Sequence, residues 1–136
     1  MKVSGVLCLL LMALDPGVRG DDLNDLADNA RCPWLCSCDQ TTADCSRKGL
    51  DEVPKNLPSD IERLDLQGNN ITVISSTDFA NLTNLRVLQL SDNQIHTIEK
   101  GAFKHLGRLE RLRLNGNELS EVPDLVFYNN LQLSRL

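Results

Sequence analysis

The chain has 136 residues, of which 41% are hydrophobic and 24% charged, and 14 basic side chains stand against 19 acidic ones for a formal charge of −5. Those proportions fit a single soluble globular domain. They exclude a general nucleic-acid binder, which would carry a strong basic excess.

The first element in chain order reads as an export signal. Met1-Lys2 supplies a positive start, Val3 to Leu14 is a twelve-residue apolar run, and Val18-Arg19-Gly20 offers a tolerated cleavage site. A membrane-spanning helix needs about 20 apolar residues, so the reading is a signal peptide over residues 1–20 and no membrane insertion after its removal. Cleavage leaves 12 basic against 18 acidic residues, a balance of −6, and also removes Cys8. Residues 21–31, with Asp21, Asp22, Asp25 and Asp28, then form an acidic linker with no core of its own.

Four cysteines follow within fourteen residues, CPWLCSCDQTTADC from Cys32 to Cys45. In an exported chain an even number of cysteines points to a disulfide framework, for which spacing alone allows three connectivities. Zinc is the competing use of four close cysteines, but C-x3-C-x-C-x6-C lacks the paired C-x2-C knuckles of common zinc modules. A redox centre would want C-x-x-C beside a βαβ pattern, and the sequence has neither.

From Ile61 the sequence repeats. Segments opening at Ile61, Leu85 and Leu109 are each 24 residues long, and a fourth starts with LSRL at Leu133. Aligned, Ile61/Leu85/Leu109/Leu133, Leu64/Leu88/Leu112/Leu136 and Leu66/Leu90/Leu114 share registers. The alternation marks a short strand, and L-x-x-L-x-L-x-x-N-x-L is the leucine-rich repeat. Such units bury their leucines only by stacking, so the expected fold is an α/β leucine-rich-repeat solenoid with short parallel strands on its concave face. Asn69, Asn93 and Asn117 predict a buried ladder of amides bonded to neighbouring turns. Ile74, Ile98 and Val122 are expected to continue the core. Phe79, Phe103 and Phe127, all the phenylalanines of the chain, form one spine. Asn130 stands where Leu82 and Leu106 stand, which predicts Leu131 turned inward at the back of the third unit.

Position then assigns the cysteines. They precede the first repeat, where the core would otherwise lie open, so residues 32–58 read as a disulfide-stapled N-terminal cap and 59–136 as three repeats plus the start of a truncated fourth. Trp34 is expected to cover the same apolar edge.

Binding falls to the residues between the leucines, on the concave face: Arg63, Asp65, Val87, Gln89, Arg111 and Arg113, followed by Gln67, Ser91 and Asn115. Lys104, Arg108, Arg111 and Arg113 form a candidate basic cluster for heparan sulfate, diluted by Glu110 and Asp65. Catalysis has little support. His96 and His105 fall in unrelated registers with no nucleophile or paired carboxylate, and no metalloprotease, phosphate-loop or nucleophile-elbow motif is present, so the chain reads as a non-enzyme without cofactor or metal. Asn70-Ile71-Thr72 and Asn81-Leu82-Thr83 are acceptor sequons for N-glycosylation.

The cap spacing followed by GLDEVPKNLPSD resembles the N-terminal flanking cap of extracellular leucine-rich-repeat proteins. The phrases IERLDLQGNNIT, TDFANLTNLRVLQLSDNQI and IEKGAFKHLGRLERLRLNGNEL, with LSRL, resemble the first leucine-rich-repeat domain of the Slit family of secreted axon-guidance ligands. That resemblance implies pairing of Cys32 with Cys38 and of Cys36 with Cys45. It further implies a secreted glycoprotein acting in development through Roundabout receptors, bound by domains outside this chain. The cap alone is shared with peroxidasin-like enzymes, small proteoglycans and receptor ectodomains, which form the alternative reading.

Overall fold

The computed structural model describes residues 32–136. The signal peptide and the acidic linker lie outside the described residues. Seven short strands follow in order: β1 (Ser37–Asp39), β2 (Thr42–Asp44), β3 (Arg63–Asp65), β4 (Val73–Ile74), β5 (Val87–Gln89), β6 (Thr97–Ile98) and β7 (Arg111–Arg113). Five of them make one sheet in the order β1-β2-β3-β5-β7. The β1–β2 hairpin is antiparallel, and every later pair is parallel.

The repeat explains the register. Leu64, Leu88 and Leu112 are Cα partners across β3, β5 and β7 and are fully buried, while their neighbours on each strand point outward. This is the period-two alternation of a sheet with one face on the core. Between strands, backbone bonds alternate direction: Leu66 N–H donates to Gln89 O at 2.8 Å, and Arg86 N–H to Glu62 O at 2.7 Å. The convex half of the solenoid is built from strings of turns closed by bonds between residues three apart, such as Leu82 N–H to Phe79 O and Leu106 N–H to Phe103 O, both at 3.1 Å.

The amide ladder is present. Asn93 Nδ2 donates to Leu66 O and Leu90 O, and its Oδ1 accepts Ile71 N–H. Asn117 repeats the pattern one turn on with Leu90 O, Leu114 O and Ile95 N–H. A burial cost of a few kcal/mol for an unpaired amide is thereby avoided. The phenylalanine spine stacks with ring centroids 6.1 Å apart for Phe79–Phe103 and 6.0 Å for Phe103–Phe127.

At the N-terminal end the cap holds two disulfides, Cys32–Cys38 and Cys36–Cys45. Its second strand does more than cover the core, because it imitates a repeat. Ala43, Cys45, Leu50 and Val53 have the same mutual spacing as Leu64, Leu66, Ile71 and Ile74. Ala43 pairs with Leu64 in register, and Ala43, Cys45 and Val53 are buried with the core while Leu50 packs against it. The bend agrees: Arg47, Gly68, Asp92 and Gly116 occupy the matching position, and all four have positive φ. Asn69 extends the ladder into this shortened unit by donating to Cys45 O and accepting from Lys48 and Leu50 N–H.

Three expectations need correction. Trp34 does not cover the cap edge and is 89% exposed. Leu131 does not turn inward and is 86% exposed, because Asn130 itself takes the buried register. Its Nδ2 reaches Phe103 O and Leu106 O, both at 2.9 Å, as a second donor beside the Leu106 and Leu109 N–H groups, and its buried Oδ1 has no hydrogen-bond partner among the described residues. Val122 is 47% exposed rather than part of the core. Its outer side has no repeat stacked on it, whereas Val53, which Pro54 follows in the matching register, is covered by the first repeat and buried. Between the first two repeats, Glu99 N–H donates to Ile74 O and zips β4 to β6. Proline in the matching position has no N–H for Ile98 O, so the second sheet stops at two strands.

Candidate functional site

The concave sheet carries two outward rows set by strand register. Thr42, Arg63, Val87 and Arg111 are successive partners, and Arg135 continues the row through a parallel bridge to Arg111. Asp44, Asp65, Gln89 and Arg113 form the other. Neighbouring strands lie about 4.8 Å apart, so four side chains in a row cover roughly 14 Å. The second row therefore runs from two carboxylates beside the cap to a guanidinium on β7.

Local bonds hold the negative end. Ser46 donates its hydroxyl and its N–H to Asp44 Oδ1, at 2.6 and 3.0 Å, and these bonds hold the Asp44 carboxyl below the usual carboxylate range. Lys48 and Arg63 add weaker charge attraction, and partial burial opposes it. Asp65 accepts the Gln67 N–H at 3.0 Å. In the row after these, Ser91 is not an outward contact residue as expected. It is buried, with its hydroxyl 2.7 Å from both Gln89 Oε1 and Asn115 Oδ1, and it fixes those two amides over the sheet.

Beside the strands runs a third row, Glu62, Arg86 and Glu110. Arg86 forms an ion pair with Glu110, whose carboxyl is held low by that hydrogen bond, while the Arg86 guanidinium is pushed up by the same bond and, more weakly, by Glu62. Both side chains are well exposed, so solvent screens the pair and its contribution to stability is small. Together with Thr41, Thr42, Arg63, Val87 and Arg111, these three residues line a shallow groove of about 360 Å³ along one margin of the sheet.

The structure splits the candidate basic cluster. Arg111 and Arg113 share β7, but the Lys104 side chain lies against Gly101 in the convex turns. Arg108 reaches back to Asn84 Oδ1 at 3.0 Å ahead of the strand. His96 is exposed with Nδ1 2.8 Å from the Thr97 hydroxyl, and His105 is half-buried. Among the described residues no group of His, Cys, Asp and Glu could hold a metal ion. Asn70 and Asn81 are both exposed, while Asn69 and Leu82 next to them are buried. Sequence reasoning missed Asp44 as the start of the charged row. Its signal was the A-x-C-x4-L-x2-V spacing, which places TAD in the register of RLD.

Comparison with known proteins gives the class. The leucine rich repeat family matches residues 59–119. Decorin of Oryctolagus cuniculus is 46% identical over 76 residues, covering 55% of this chain, and human decorin is 53% identical over 57 residues, covering 42%. The chain spans only about a fifth of the decorins it matches, 21% and 16% respectively. The solved structure of human 5T4 (Wnt-activated inhibitory factor 1, trophoblast glycoprotein) superposes with a TM-score of 0.69 at 33% identity, covering 77% of this chain and 39% of that one. The chain thus has a leucine-rich-repeat fold with an N-terminal disulfide cap and is related to decorin and 5T4. The narrower resemblance to Slit, with its Roundabout receptors, finds no support among these relatives.

Proposed function

We propose that this chain is the capped N-terminal binding module of an extracellular leucine-rich-repeat protein of the wider class that includes small proteoglycans and receptor ectodomains. The observation that carries the reading is the concave sheet. The leucines of β3, β5 and β7 are wholly buried, whereas Arg63, Asp65, Val87, Gln89, Arg111 and Arg113 stand outward in fixed register with no packing duty. The outward rows suit a protein partner of opposite polarity, basic toward Asp44 and Asp65 and acidic toward Arg111 and Arg113. Residues 1–20 act as the export signal and residues 21–31 as a linker, and Asn70 and Asn81 carry N-linked glycans. No step of catalysis is assigned to the chain.

Heparan sulfate is the weaker occupant, because Lys104 and Arg108 stand away from the strand pair and Glu62 and Glu110 line the neighbouring groove. A photo-crosslinking residue at Gln89, in the full chain displayed on cells, tests the reading. A discrete protein adduct is expected from Gln89 and not from Lys100 on the exposed convex side, and it is lost in Arg111→Glu/Arg113→Glu. Equal adducts from both faces, or capture of heparan sulfate alone, would contradict it.

A further inference from the structure

A groove of about 290 Å³ lies where the cap leads into the first repeat. One wall is Val53, Pro54, Lys55, Asn56 and Leu57, and the other is Thr77, Asp78, Asn81 and Leu82. Val53 and Leu82 are buried members of the core, Pro54 and Leu57 beside them are half-buried, and Lys55, Asn56, Thr77 and Asp78 make most of the lining polar. Among the described residues no hydrogen bond joins residues 53–57 to residues 77–82.

Asn81 is itself a wall residue, is exposed, and belongs to the sequon Asn81-Leu82-Thr83, whose threonine is exposed as well. Leu82 in the middle of the sequon points into the core, which leaves the asparagine amide facing out. A sugar attached there is tethered at the mouth of the groove. Its ring presents an apolar C–H face to Pro54 and Leu57 and hydroxyl and acetamido groups to the polar lining. The tether removes most of the entropic cost of binding, so even a shallow groove suffices.

We infer that the first N-acetylglucosamine of an Asn81-linked glycan seats in this groove and ties the cap linker to the first repeat. The inference rests on the reading of the chain as an exported glycoprotein. The other sequon serves as its control: Asn70 lies in the bend after the ladder, bonded through its N–H to Leu50 O, and is not a wall residue.

The test uses the exposed Lys55–Asn56 bond, on the groove wall, as a trypsin site. The full chain is secreted from a host that makes high-mannose glycans, and occupancy of Asn81 is read by mass spectrometry. One batch is then left intact, trimmed to a single N-acetylglucosamine, or stripped of the whole glycan. Cleavage after Lys55 should be about tenfold slower in the intact and trimmed forms than in the stripped form, the effect of a local link equal to one or two net hydrogen bonds. Asn70→Gln should leave that difference unchanged. Occupied Asn81 with equal cleavage in all three forms overturns the seating alone, as does protection lost on trimming to one sugar. An unoccupied Asn81 overturns the seating and the glycosylation of that sequon together.

Discussion

The first two repeats and the third carry apolar side chains in the same core registers, yet their interiors differ. Leu66, Ile71 and Phe79, like Leu90, Ile95 and Phe103, are fully buried, whereas Leu114, Leu119 and Phe127 are only partly covered and Val122 is half-exposed. The strand at Leu112 meets one further residue, through its N–H to Arg135 O at 3.0 Å. A shared register is therefore not a shared environment. In a stacked fold, burial is conferred by the neighbour on each side, and a leucine's contribution depends on how many neighbours it has.

The sharpest break of that comparison is a matched pair of truncations. Leu90→Ala should cost about 3–5 kcal/mol, as for a fully packed leucine. Leu114→Ala, in the same register, should cost about half as much because solvent already reaches its site. Urea unfolding of the two variants measures this, and equal losses would mean that the third repeat is as well packed as the second.

Loss of the cap staple comes next. Cys36→Ala/Cys45→Ala opens a span of ten residues and should lower stability by about 2–3 kcal/mol in the chain-entropy view. Because Cys45 is also a core residue in the register of Leu66, a little more is lost from its small cavity. The amide ladder supplies a smaller contrast. Asn93→Ala strands the buried Ile71 N–H, removes one of two amide donors from each of Leu66 O and Leu90 O, and should cost about 1–3 kcal/mol. Asn117→Ala should cost less, since water can reach its site.

One change should improve the third repeat. Leu125 occupies the position of Gly101 and shares its positive φ, at 59° against 79°, and its side chain is 78% exposed. Leu125→Gly relieves a left-handed conformation worth about 1–2 kcal/mol, offset by glycine's backbone entropy of roughly 0.5–1 kcal/mol. A net gain of about 0.5–1 kcal/mol in urea unfolding is expected, and any loss would show that Leu125 packs where the geometry says it does not.

The smallest effect is electrostatic. Asp44 and Glu110 have carboxyls held low in the folded state, so their contribution is complete above the ordinary carboxylate range of about 4 and fades as pH falls through the lower folded values. The urea midpoint should decline slightly below about pH 4, and less steeply in Asp44→Asn.

What was legible in the sequence followed from period. Leucines at 24-residue spacing identify strands, ladder and aromatic spine because every unit repeats the same burial pattern. The misses lie where a single residue departs from the period. Pro123 lacks the donor that would extend the second sheet, and Asn130 fills a leucine's place while its amide adds bonds to two convex carbonyls. The cap's imitation repeat was hidden because it is three residues shorter than the others. The bend at Arg47, aligned with Gly68, and the pairing of Ala43 with Leu64 make its register plain. The two-sided charge row on the concave face needed that register too, since Asp44 belongs to the face only once β2 is seen to pair with β3.

Native-state hydrogen exchange tests the central claim, that neighbours rather than residues confer burial, most directly. The amides of Leu66 and Leu90 donate in matching positions to Gln89 O and Arg113 O, and Leu112, two residues earlier in its own repeat, donates to Arg135 O. The first two should exchange only through global unfolding, while Leu112 and the amides of residues 118–130 should exchange through a separate opening of lower free energy. A single common opening energy for all three repeats, or slowest exchange in the third, would contradict it.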